Sequence, residues 1–442
     1  MFETMNLSNL TKIQQRLFSL VVVLFSLNNS LQGQNLSGLN LDEAPIVVIS
    51  EPLSGRILYT KNQDRIIPPA SLTKLMTLHL AFKAIDEGKI KASTLVPITK
   101  DLDALSAPPG SSLMFLEAGN HVTVQELMQG LAVSSGNDAG KALAHLLGGS
   151  ESVFVQQMND EAQTLGLVDT HFADSFGYSE FNQTTARDLT RFVRIYLTRY
   201  PDTLRWLHNL KTMTYPLSGN LNGMKSRYGP ITQKNRNELL DTYAGADGLK
   251  TGYIGASGYN LAATAQRDGL RLVVIILGVQ APNSKEGSRK RALAATKALD
   301  WGFENFHQKL LPVPPLPEVV AWFSEPSVVS LKPSQVPIFP ISLEEERTLT
   351  IEYQHHPEIL GPPPVDAELG TLYYKVNDKI LYSVPLVAAQ KVKEASWYVI
   401  FFHSLARFFS DLWIAIFGGE KPLDLRGGTV AMASLNLYDK AS

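Results

Sequence analysis

A serine and a lysine three residues apart are the residues of this sequence best suited to covalent chemistry. Ser71 and Lys74 lie directly before the apolar stretch 75–78, which predicts a helix that starts near Ser71. Residues at positions i and i+3 share one face of a helical turn, so the amine lies within reach of the hydroxyl. An amine that takes the serine proton turns the hydroxyl into a nucleophile.

The lysine can act as a base only if its pKa falls far below the ordinary value of about 10.4. Burial and a second positive charge nearby are the two means of lowering it. Lys250, in the triplet 250–252, is the candidate second cation, and the Thr251 hydroxyl beside it can bind a carboxylate. Gly248 and Gly252 on either side of this pair predict that a substrate backbone can come close.

A second serine motif lies in a predicted loop between two helical stretches. There Ser135 could relay a proton and Asn137 could hold a substrate carbonyl. The same Ser-Gly-Asn triplet recurs at 218–220, but that copy lies in a turn-rich stretch without flanking helices. None of the nine histidines has a sequence context that links it to Ser71, so the sequence does not indicate a conventional triad.

Composition excludes several other kinds of chemistry. The 442 residues include 40 basic and 42 acidic side chains, which lack the cationic excess that nucleic-acid binding requires. Cysteine is absent, so no thiolate nucleophile and no cysteine-based metal site can form. We therefore predict no metal, no cofactor and no nucleic-acid partner.

The elements that must position these residues form one predicted domain. Apolar runs at 46–49 and 57–59, separated by a turn with Pro52 and Gly55, predict a β-hairpin. Residues 259–265 and 270–277 predict two later strands. Helical periodicity lies between and after these strands, at 122–131, 140–147, 185–197 and 287–306. Strands at both ends of the domain with helices between them predict one sheet that the two ends complete.

A change in composition after residue 306 predicts a second domain. Thirteen of the 25 prolines fall between residues 310 and 386, and those at 312–317 predict a stiff linker. Residues 349–353, 371–376 and 379–384 then alternate as short strands. The predicted domains are 34–306, which carries the motifs, and a small β-rich domain at 307–390.

The two ends of the chain predict export and attachment. Residues 1–33 have two basic residues, an apolar run of 11 residues and a polar stretch that ends at Gly33, the order of a secretory signal peptide. Residues 397–417, within the predicted helix and tail 391–442, place polar side chains along one stripe and aromatic rings opposite. Such an amphipathic helix suits a membrane surface. Spanning the membrane and docking onto protein are the alternatives.

Taken together, the motifs resemble those of the penicillin-binding proteins and serine β-lactamases. Longer strings narrow the resemblance to the low-molecular-mass D-alanyl-D-alanine carboxypeptidases of the penicillin-binding protein 5 and 6 type, a serine peptidase family. These strings are residues 69–77, 135–139, 185–188 and 247–253. The resemblance implies an α+β fold: a β-lactamase/transpeptidase-like domain, with an antiparallel sheet and helices on both sides, then a β-rich domain and an amphipathic helix.

The resemblance also implies a two-step acyl transfer. Ser71 would attack the carbonyl between the two terminal D-alanines of a peptidoglycan stem pentapeptide, with Lys74 as its base. Ser135 would pass the proton to the leaving amine, and Asn137 would hold the substrate amide. Penicillins and other β-lactams would acylate Ser71 as covalent inhibitors, and the enzyme would act in cell-wall biosynthesis and cell shape.

Further roles follow from the same resemblance. Lys250 would keep Lys74 neutral, and the backbone N–H groups of Ser71 and Tyr253 would form an oxyanion hole beside Gly252. Thr251 would bind the terminal carboxylate with the help of Arg291, ten residues before Trp301. The implied location is the periplasmic face of the bacterial inner membrane, as a peripheral protein.

The chain departs from the family pattern in places, and other functions use the same motifs. Ser257 replaces a common alanine, Asp174 stands where an asparagine is usual, and residues 421–442 extend past the helix. A β-lactamase would need a Glu-x-x-x-Asn segment, which the stretch between Asn137 and Lys250 lacks. An endopeptidase typically lacks the β-rich domain. A peptidoglycan-binding protein without strong activity would keep every motif.

Overall fold

The structure is a computed structural model that describes residues 39–417 and 435–436. The predicted signal peptide lies outside these residues. The described chain separates into two compact units. The first comprises residues 39–266 and Arg271–Gly302. The second comprises Arg267–Leu270 and the described residues from Phe303 onward. The division at 302–303 lies a few residues before the predicted boundary, and the described part of the predicted segment 391–442 belongs to the second unit.

The first unit contains the motifs in an α+β arrangement. Its strands are β1 (Ile46–Glu51), β2 (Arg56–Lys61), β3 (Leu95–Pro97), β4 (His121–Thr123), β5 (Thr212–Tyr215), β6 (Ile231–Lys234), β7 (Ala246–Ile254), β8 (Gly258–Arg267) and β9 (Leu270–Val279). Its helices are α1 (Lys74–Asp86), α2 (Val124–Gln129), α3 (Asn137–Gly148), α4 (Glu151–Thr164), α5 (Ala186–Arg199), α6 (Leu239–Thr242) and α7 (Ser284–Asn305).

A five-stranded sheet in the order β2-β1-β9-β8-β7 forms the centre of the first unit. β1 pairs antiparallel with both β2 and β9, so the first hairpin of the domain joins its last strands, as the sequence predicts. β7 pairs antiparallel with β8 and forms the free edge of the sheet. The triplet at residues 250–252 therefore lies on an edge strand.

Both faces of this sheet are covered. All six residues of β1 are buried, and β9 reads almost without a polar interruption, as expected for a strand between two layers. Val48 and Ile275 belong to the core shared with the helices α1 to α5. Ile49 and Leu272 face the other way, against Gly302 near the end of α7. This α+β sandwich confirms the predicted fold class.

The second unit is β-rich with its own core. Its strands are β10 (His307–Leu310), β11 (Glu318–Trp322), β12 (Ser324–Glu325), β13 (Val328–Pro333), β14 (Ile338–Ile341), β15 (Leu349–His355), β16 (Glu358–Leu360), β17 (Gly370–Val376), β18 (Lys379–Ala388), β19 (Lys393–Glu394) and β20 (Leu435–Asn436). Its helices are α8 (Leu343–Arg347) and α9 (Trp397–Phe417). The main sheet has the order β16-β11-β13-β18-β17-β15-β20.

The proline stretch predicted as a linker lies inside the second unit. Leu311 belongs to the buried core of this unit, and the hydroxyl of Tyr374 donates to the carbonyl of Pro312 at 3.0 Å. Prolines fix the backbone but carry no information about whether the segment packs on a core, which is why composition alone predicted a stiff linker and not its packing.

Helix α9 packs part of its polar stripe against the strands of its own unit. The Phe323 N–H donates to His403 Nδ1 at 2.9 Å, and the guanidinium of Arg407 lies 5.5 Å from the Trp322 ring. Its large apolar side chains remain exposed, including Trp397, Phe401 and Phe408. Within residues 39–417 and 435–436, no helix combines the length and the hydropathy needed to cross a bilayer.

Candidate active site

The candidate nucleophile lies on a tight turn that leads into a buried helix. Ala70–Thr73 form one 3₁₀ turn, with Ala70 itself at a φ of +52°, and α1 begins at Lys74. Asn260 holds the preceding segment, because its Nδ2 donates to the carbonyls of Pro68 and Pro69 at 3.3 and 3.4 Å. Ser71 is thus fixed at the start of the helix, as the sequence predicts.

The amine of Lys74 is fully buried and has three close partners. Its Nζ lies 2.9 Å from Ser71 Oγ, and it donates to Asn137 Oδ1 at 2.7 Å and to the Phe176 carbonyl at 2.6 Å. A neutral amine has two N–H donors and one lone pair. In that state the two N–H groups match Asn137 and Phe176, and the lone pair is left for the hydroxyl of Ser71.

The surroundings of Lys74 make this neutral state accessible. Burial lowers the pKa of Lys74 from its usual value to about 7. The negative charge of Asp174 opposes this shift, the positive charge of Arg236 adds to it, and Asp138 opposes it more weakly. A lysine with a pKa near 7 can accept a proton at neutral pH, which the proposed chemistry requires.

The Ser-Gly-Asn motif lies at the junction of two helices. A π-helical turn at Gly130–Ser134 ends in Ser135, which is buried and has a φ of +60°, and α3 then begins at Asn137. The Asn137 amide is held from both sides, since Lys74 donates to its Oδ1 and its Nδ2 donates to Ser111 Oγ at 2.9 Å. The sequence predicted a loop between two helices here; Ser135 and Gly136 form it, and it is shorter than expected because helical turns extend to Ser134 and from Asn137.

Strand β7 carries the third motif along the edge of the sheet. Lys250 is buried, and its Nζ donates to the carbonyl of the equally buried Thr251 at 3.0 Å. Burial and the charge of Lys74 are the first two causes that lower the pKa of Lys250. The two lysines are therefore close enough to repel each other, and the cation that most lowers the pKa of Lys74 is Arg236.

Two glycines lie against the backbone of the nucleophile. A Cβ added to Gly252 would lie 3.1 Å from the Ser71 nitrogen, and one added to Gly177 would lie 2.9 Å from the same atom and 1.9 Å from the Ala70 carbonyl oxygen. Gly177 also has a φ of +82°, which L side chains rarely adopt. The sequence indicated Gly252 as a point of close approach but not Gly177.

A cleft of about 640 Å³ opens above Ser71. Asn137 and the largely exposed Tyr253 line it together with Ser71. The remaining lining residues are Gly110, Ser112, Gly177, Tyr178, Ser179, Glu180, Ile254, Gly255 and Ala256. One wall is therefore the end of β7 and its following turn, and another is the segment 177–180, which the motifs did not indicate.

Arg291, predicted to assist carboxylate binding, is buried and is not among the residues that line the cleft. It is only 4% exposed and donates through Nη2 to Glu238 Oε2 at 3.1 Å and to the Arg236 carbonyl at 3.4 Å. Arg236 is exposed, and its charge lowers the pKa of both Lys74 and Lys250. The predictions missed Arg236, because no motif or spacing relates Asn235-Arg236-Asn237 to the serine.

In the part of the chain that the structure describes, no three histidine, aspartate or glutamate side chains gather closely enough to hold a metal ion. The geometry is that of a serine acyl-transfer site with a lysine base: a hydroxyl, a buried amine of lowered pKa, and an amide that orients the amine.

Comparison with known proteins gives the same class. The model of the D-alanyl-D-alanine carboxypeptidase family of serine peptidases matches residues 40–281. D-alanyl-D-alanine carboxypeptidase DacC of Escherichia coli is 32% identical over 369 residues, which cover 80% of this chain and 87% of that protein. DacF of Bacillus subtilis is 32% identical over 363 residues, with the same coverage.

Solved structures agree over both units. Penicillin-binding protein 5 from Haemophilus influenzae superposes with a TM-score of 0.68 at 28% identity, covering 80% of this chain and 98% of that one. Penicillin-binding protein 6B from E. coli has a TM-score of 0.61 at 30% identity, covering 78% and 95%. The chain belongs to the D-alanyl-D-alanine carboxypeptidase family, which confirms the family and the enzyme class predicted from its motifs.

Proposed function

We propose that this protein removes the terminal D-alanine from peptidoglycan stem pentapeptides through an acyl-enzyme on Ser71. The observation that carries the proposal is the position of Lys74 Nζ, 2.9 Å from Ser71 Oγ and 2.7 Å from Asn137 Oδ1. One buried amine thus connects the nucleophile with the amide that would orient the substrate. Its pKa of about 7 suits a general base.

The first step forms the acyl-enzyme. The Ser71 oxygen attacks the carbonyl carbon between the two terminal D-alanines while its proton passes to Lys74. The negative charge that develops on the carbonyl oxygen is stabilised by the backbone N–H groups of Ser71 and Tyr253. The close approach of Gly252 to the Ser71 nitrogen supports this pairing of strand and turn.

The second part of the step expels the amine. The bond between the carbonyl carbon and the nitrogen of the last D-alanine breaks, and Ser135 passes a proton to that nitrogen while it takes one from Lys74, which returns Lys74 to its neutral form. Water then attacks the ester, which releases the shortened peptide and restores the Ser71 hydroxyl. A β-lactam follows the same path: Ser71 attacks the carbonyl of its ring amide and the ring C–N bond breaks. The drug then stays bound to Ser71 as an ester when water attacks that ester slowly.

Cationic groups at one end of the site bind the terminal carboxylate. The hydroxyl of Thr251 and the charge of Lys250 lie on the edge strand, and the exposed Arg236 adds a second positive charge beside them. We assign the direct contact to Arg236 and a supporting role to Arg291, because Arg291 is buried and donates to the carbonyl of Arg236.

Replacing Ser71 tests this assignment. We expect Ser71→Ala to abolish labelling by a fluorescent penicillin and D-alanine release from a pentapeptide, since the hydroxyl that lies 2.9 Å from Lys74 Nζ and would form the acyl-enzyme is then missing. Ser218→Ala, in the second Ser-Gly-Asn triplet, is the matched control and should keep both activities. Labelling that persists in Ser71→Ala would remove this residue from its role.

The substrate is tested by mass. Incubation with a stem pentapeptide and with a cross-linked peptide dimer should show loss of one D-alanine from the pentapeptide and an intact dimer. Cleavage of the dimer would instead favour an endopeptidase. Loss of mass from neither peptide, with labelling retained, would favour a protein that binds peptidoglycan.

We propose a peripheral location at the periplasmic face of the inner membrane, and the exposed aromatic side chains of α9 support the membrane contact. The helix turns His403 and Arg407 towards the second unit and leaves Trp397, Phe401 and Phe408 exposed. Aromatic rings on one side of a helix favour the headgroup region of a bilayer. The membrane surface is therefore a proposed partner.

Deletion of residues 397–442 tests this location. The truncated protein should keep its activity on a soluble peptide but no longer sediment with vesicles of bacterial lipids. The full-length protein with Phe401→Glu and Phe408→Glu should behave in the same way, since both changes put charge on the exposed face. Sedimentation of both variants at the level of the unaltered protein would contradict the proposal.

A further inference from the structure

A loop beside the nucleophile turn is organised around one carboxylate. Asp174 accepts from the backbone N–H groups of Phe176 at 2.8 Å and Gly177 at 2.5 Å through Oδ1. Through Oδ2 it accepts from the Ser179 N–H at 2.5 Å and from Asn182 Nδ2 at 3.0 Å. The segment 174–182, here called the Asp174 loop, is thus wound around a negative charge.

The same loop reaches both Lys74 and the cleft. Phe176, whose N–H donates to Asp174, gives its carbonyl to Lys74 Nζ at 2.6 Å. One residue further on, Gly177 lies against the backbone of Ser71, and Ser179 lines the cleft. Asp174 is therefore linked to the amine of Lys74 through one residue, Phe176. Its negative charge also raises the pKa of Lys74.

We propose that Asp174 is a positioning residue that holds the Phe176 carbonyl against Lys74 and, through its charge, sets the pH above which Lys74 can act as a base. The proposal rests on the proposed role of Lys74 in acylating Ser71. Asp174 touches neither the substrate nor the reacting atoms, so its effect passes through Lys74.

The charges around Lys74 come from four sides. Asp174 faces it from the loop, Asp138 from the first turn of α3, Arg236 from the segment before α6, and Lys250 from β7. The two carboxylates favour the ammonium form and the cations favour the neutral amine. Among the two carboxylates, Asp174 raises the pKa of Lys74 more than Asp138 does.

The sign of the effect follows from this arrangement. Replacing Asp174 by asparagine removes a negative charge, so the ammonium form of Lys74 loses support and its pKa falls. Acylation, which needs the neutral amine, should then persist to lower pH. One nearby charge typically moves the pKa of a neighbouring group by about one unit. After each rate constant is divided by its plateau value at high pH, acylation by Asp174→Asn should therefore be about tenfold faster than that of the unaltered protein on the acid side.

The test is the pH profile of single-turnover acylation by a fluorescent penicillin, measured by stopped flow from about pH 5 to pH 9. The first-order rate constant does not depend on the fraction of folded protein, so a less stable variant remains informative. Asp174→Asn should shift the acid midpoint downward by about one unit. Asp174→Glu keeps the charge but displaces the loop, so it should lower the rate at every pH with its midpoint nearly unchanged.

Glu151→Gln is the matched control for loop anchoring. Glu151 accepts from Ser175 Oγ at 3.0 Å in the same loop but is not among the charges that shift Lys74. Its midpoint should equal that of the unaltered protein. An acid midpoint that stays in place in Asp174→Asn, or that moves equally in Asp174→Glu, overturns the inference alone. A flat profile in the unaltered protein overturns the base role of Lys74 and the inference with it.

Discussion

The backbone nitrogen of Ser71 lies between two glycines from different parts of the chain. Gly252 approaches from β7 and Gly177 from the Asp174 loop, and a Cβ on either would come within about 3 Å of that nitrogen. The nucleophile turn is therefore held from both sides by backbone. This explains how a short 3₁₀ turn can keep one geometry through the proposed acylation of its serine and the later hydrolysis of the ester.

Substitution of Gly177 tests how tightly the turn is held. In Gly177→Ala the new Cβ would lie 1.9 Å from the Ala70 carbonyl oxygen, so either the loop or the turn must move. A displacement of about 1 Å at a reacting group can cost about 100-fold in rate. We expect a loss of that size in the single-turnover acylation rate constant for a fluorescent penicillin.

Gly149→Ala is the control for backbone strain. Gly149 has a similar φ of +73° but has open space where its Cβ would lie, at the end of α3. This variant should lose stability by about 1 kcal/mol and acylate at the unaltered rate. Acylation by Gly177→Ala at the unaltered rate would show that the approach of the loop to the turn does not matter.

The sequence predicted the residues that chemistry requires in fixed spacing and missed those that only folding brings together. Ser71 and Lys74 lie on one helical turn, so their contact follows from their spacing. Arg236 and Asp174 are distant from Ser71 along the chain. Their influence on Lys74 depends on how the segment before α6 and the Asp174 loop pack, which local patterns do not encode.

At the scale of the elements, a buried carboxylate joins α1, the helix that begins with Lys74, to α4. Glu161 of α4 lies 2.9 Å from His79 Nε2 and accepts from Lys83 Nζ at 2.5 Å, both on α1. These partners lower the pKa of Glu161 from its usual value to about 2. The ion pair therefore fixes α1 against its neighbour.

Glu161→Gln should destabilise the first unit by about 1 to 3 kcal/mol at pH 7, as measured by urea unfolding. Because its folded pKa is depressed, Glu161 stabilises the fold above its ordinary pKa of about 4.5 and loses this effect as the pH falls towards 2. The difference between Glu161→Gln and the unaltered protein should shrink over that range.

Asp160→Asn provides the control, since Asp160 is the neighbouring carboxylate, is exposed, and accepts through Oδ1 from the exposed Gln156 at 2.7 Å. It should change stability by less than about 0.5 kcal/mol. A difference for Glu161→Gln that is absent at pH 7, or constant down to low pH, would contradict the assigned pairing.

Local patterns predicted most elements of the first unit and few of their boundaries. The helices predicted at 140–147 and 185–197 are Asn137–Gly148 and Ala186–Arg199; the first is longer at both ends, and the second begins one residue later and ends two residues later than predicted. Thr185 is polar and so adds nothing to the hydrophobic periodicity. Its side chain nevertheless accepts from the Asp188 N–H and caps the helix. Hydrophobic periodicity marks the buried middle of a helix, whereas polar caps set its ends.

At the scale of the whole molecule, each unit has a core of its own. The first is built around the helices and one face of the sheet, and the second around β-strand side chains such as Val319, Leu372 and Val384. The change in composition after residue 306 predicted this division because strands and turns use prolines that helices exclude. The same signal could not show that the prolines at 312–317 pack within the second unit.

The segments before and after helix α9 both pair with strands of the second unit. Before the helix, β19 pairs with β12; after it, β20 pairs with β15 at Thr350 and Ile351. A segment that crosses a bilayer once must leave its two ends on opposite sides. Both ends here belong to one folded unit, so a membrane contact through α9 would be made by a segment that leaves this unit and returns to it.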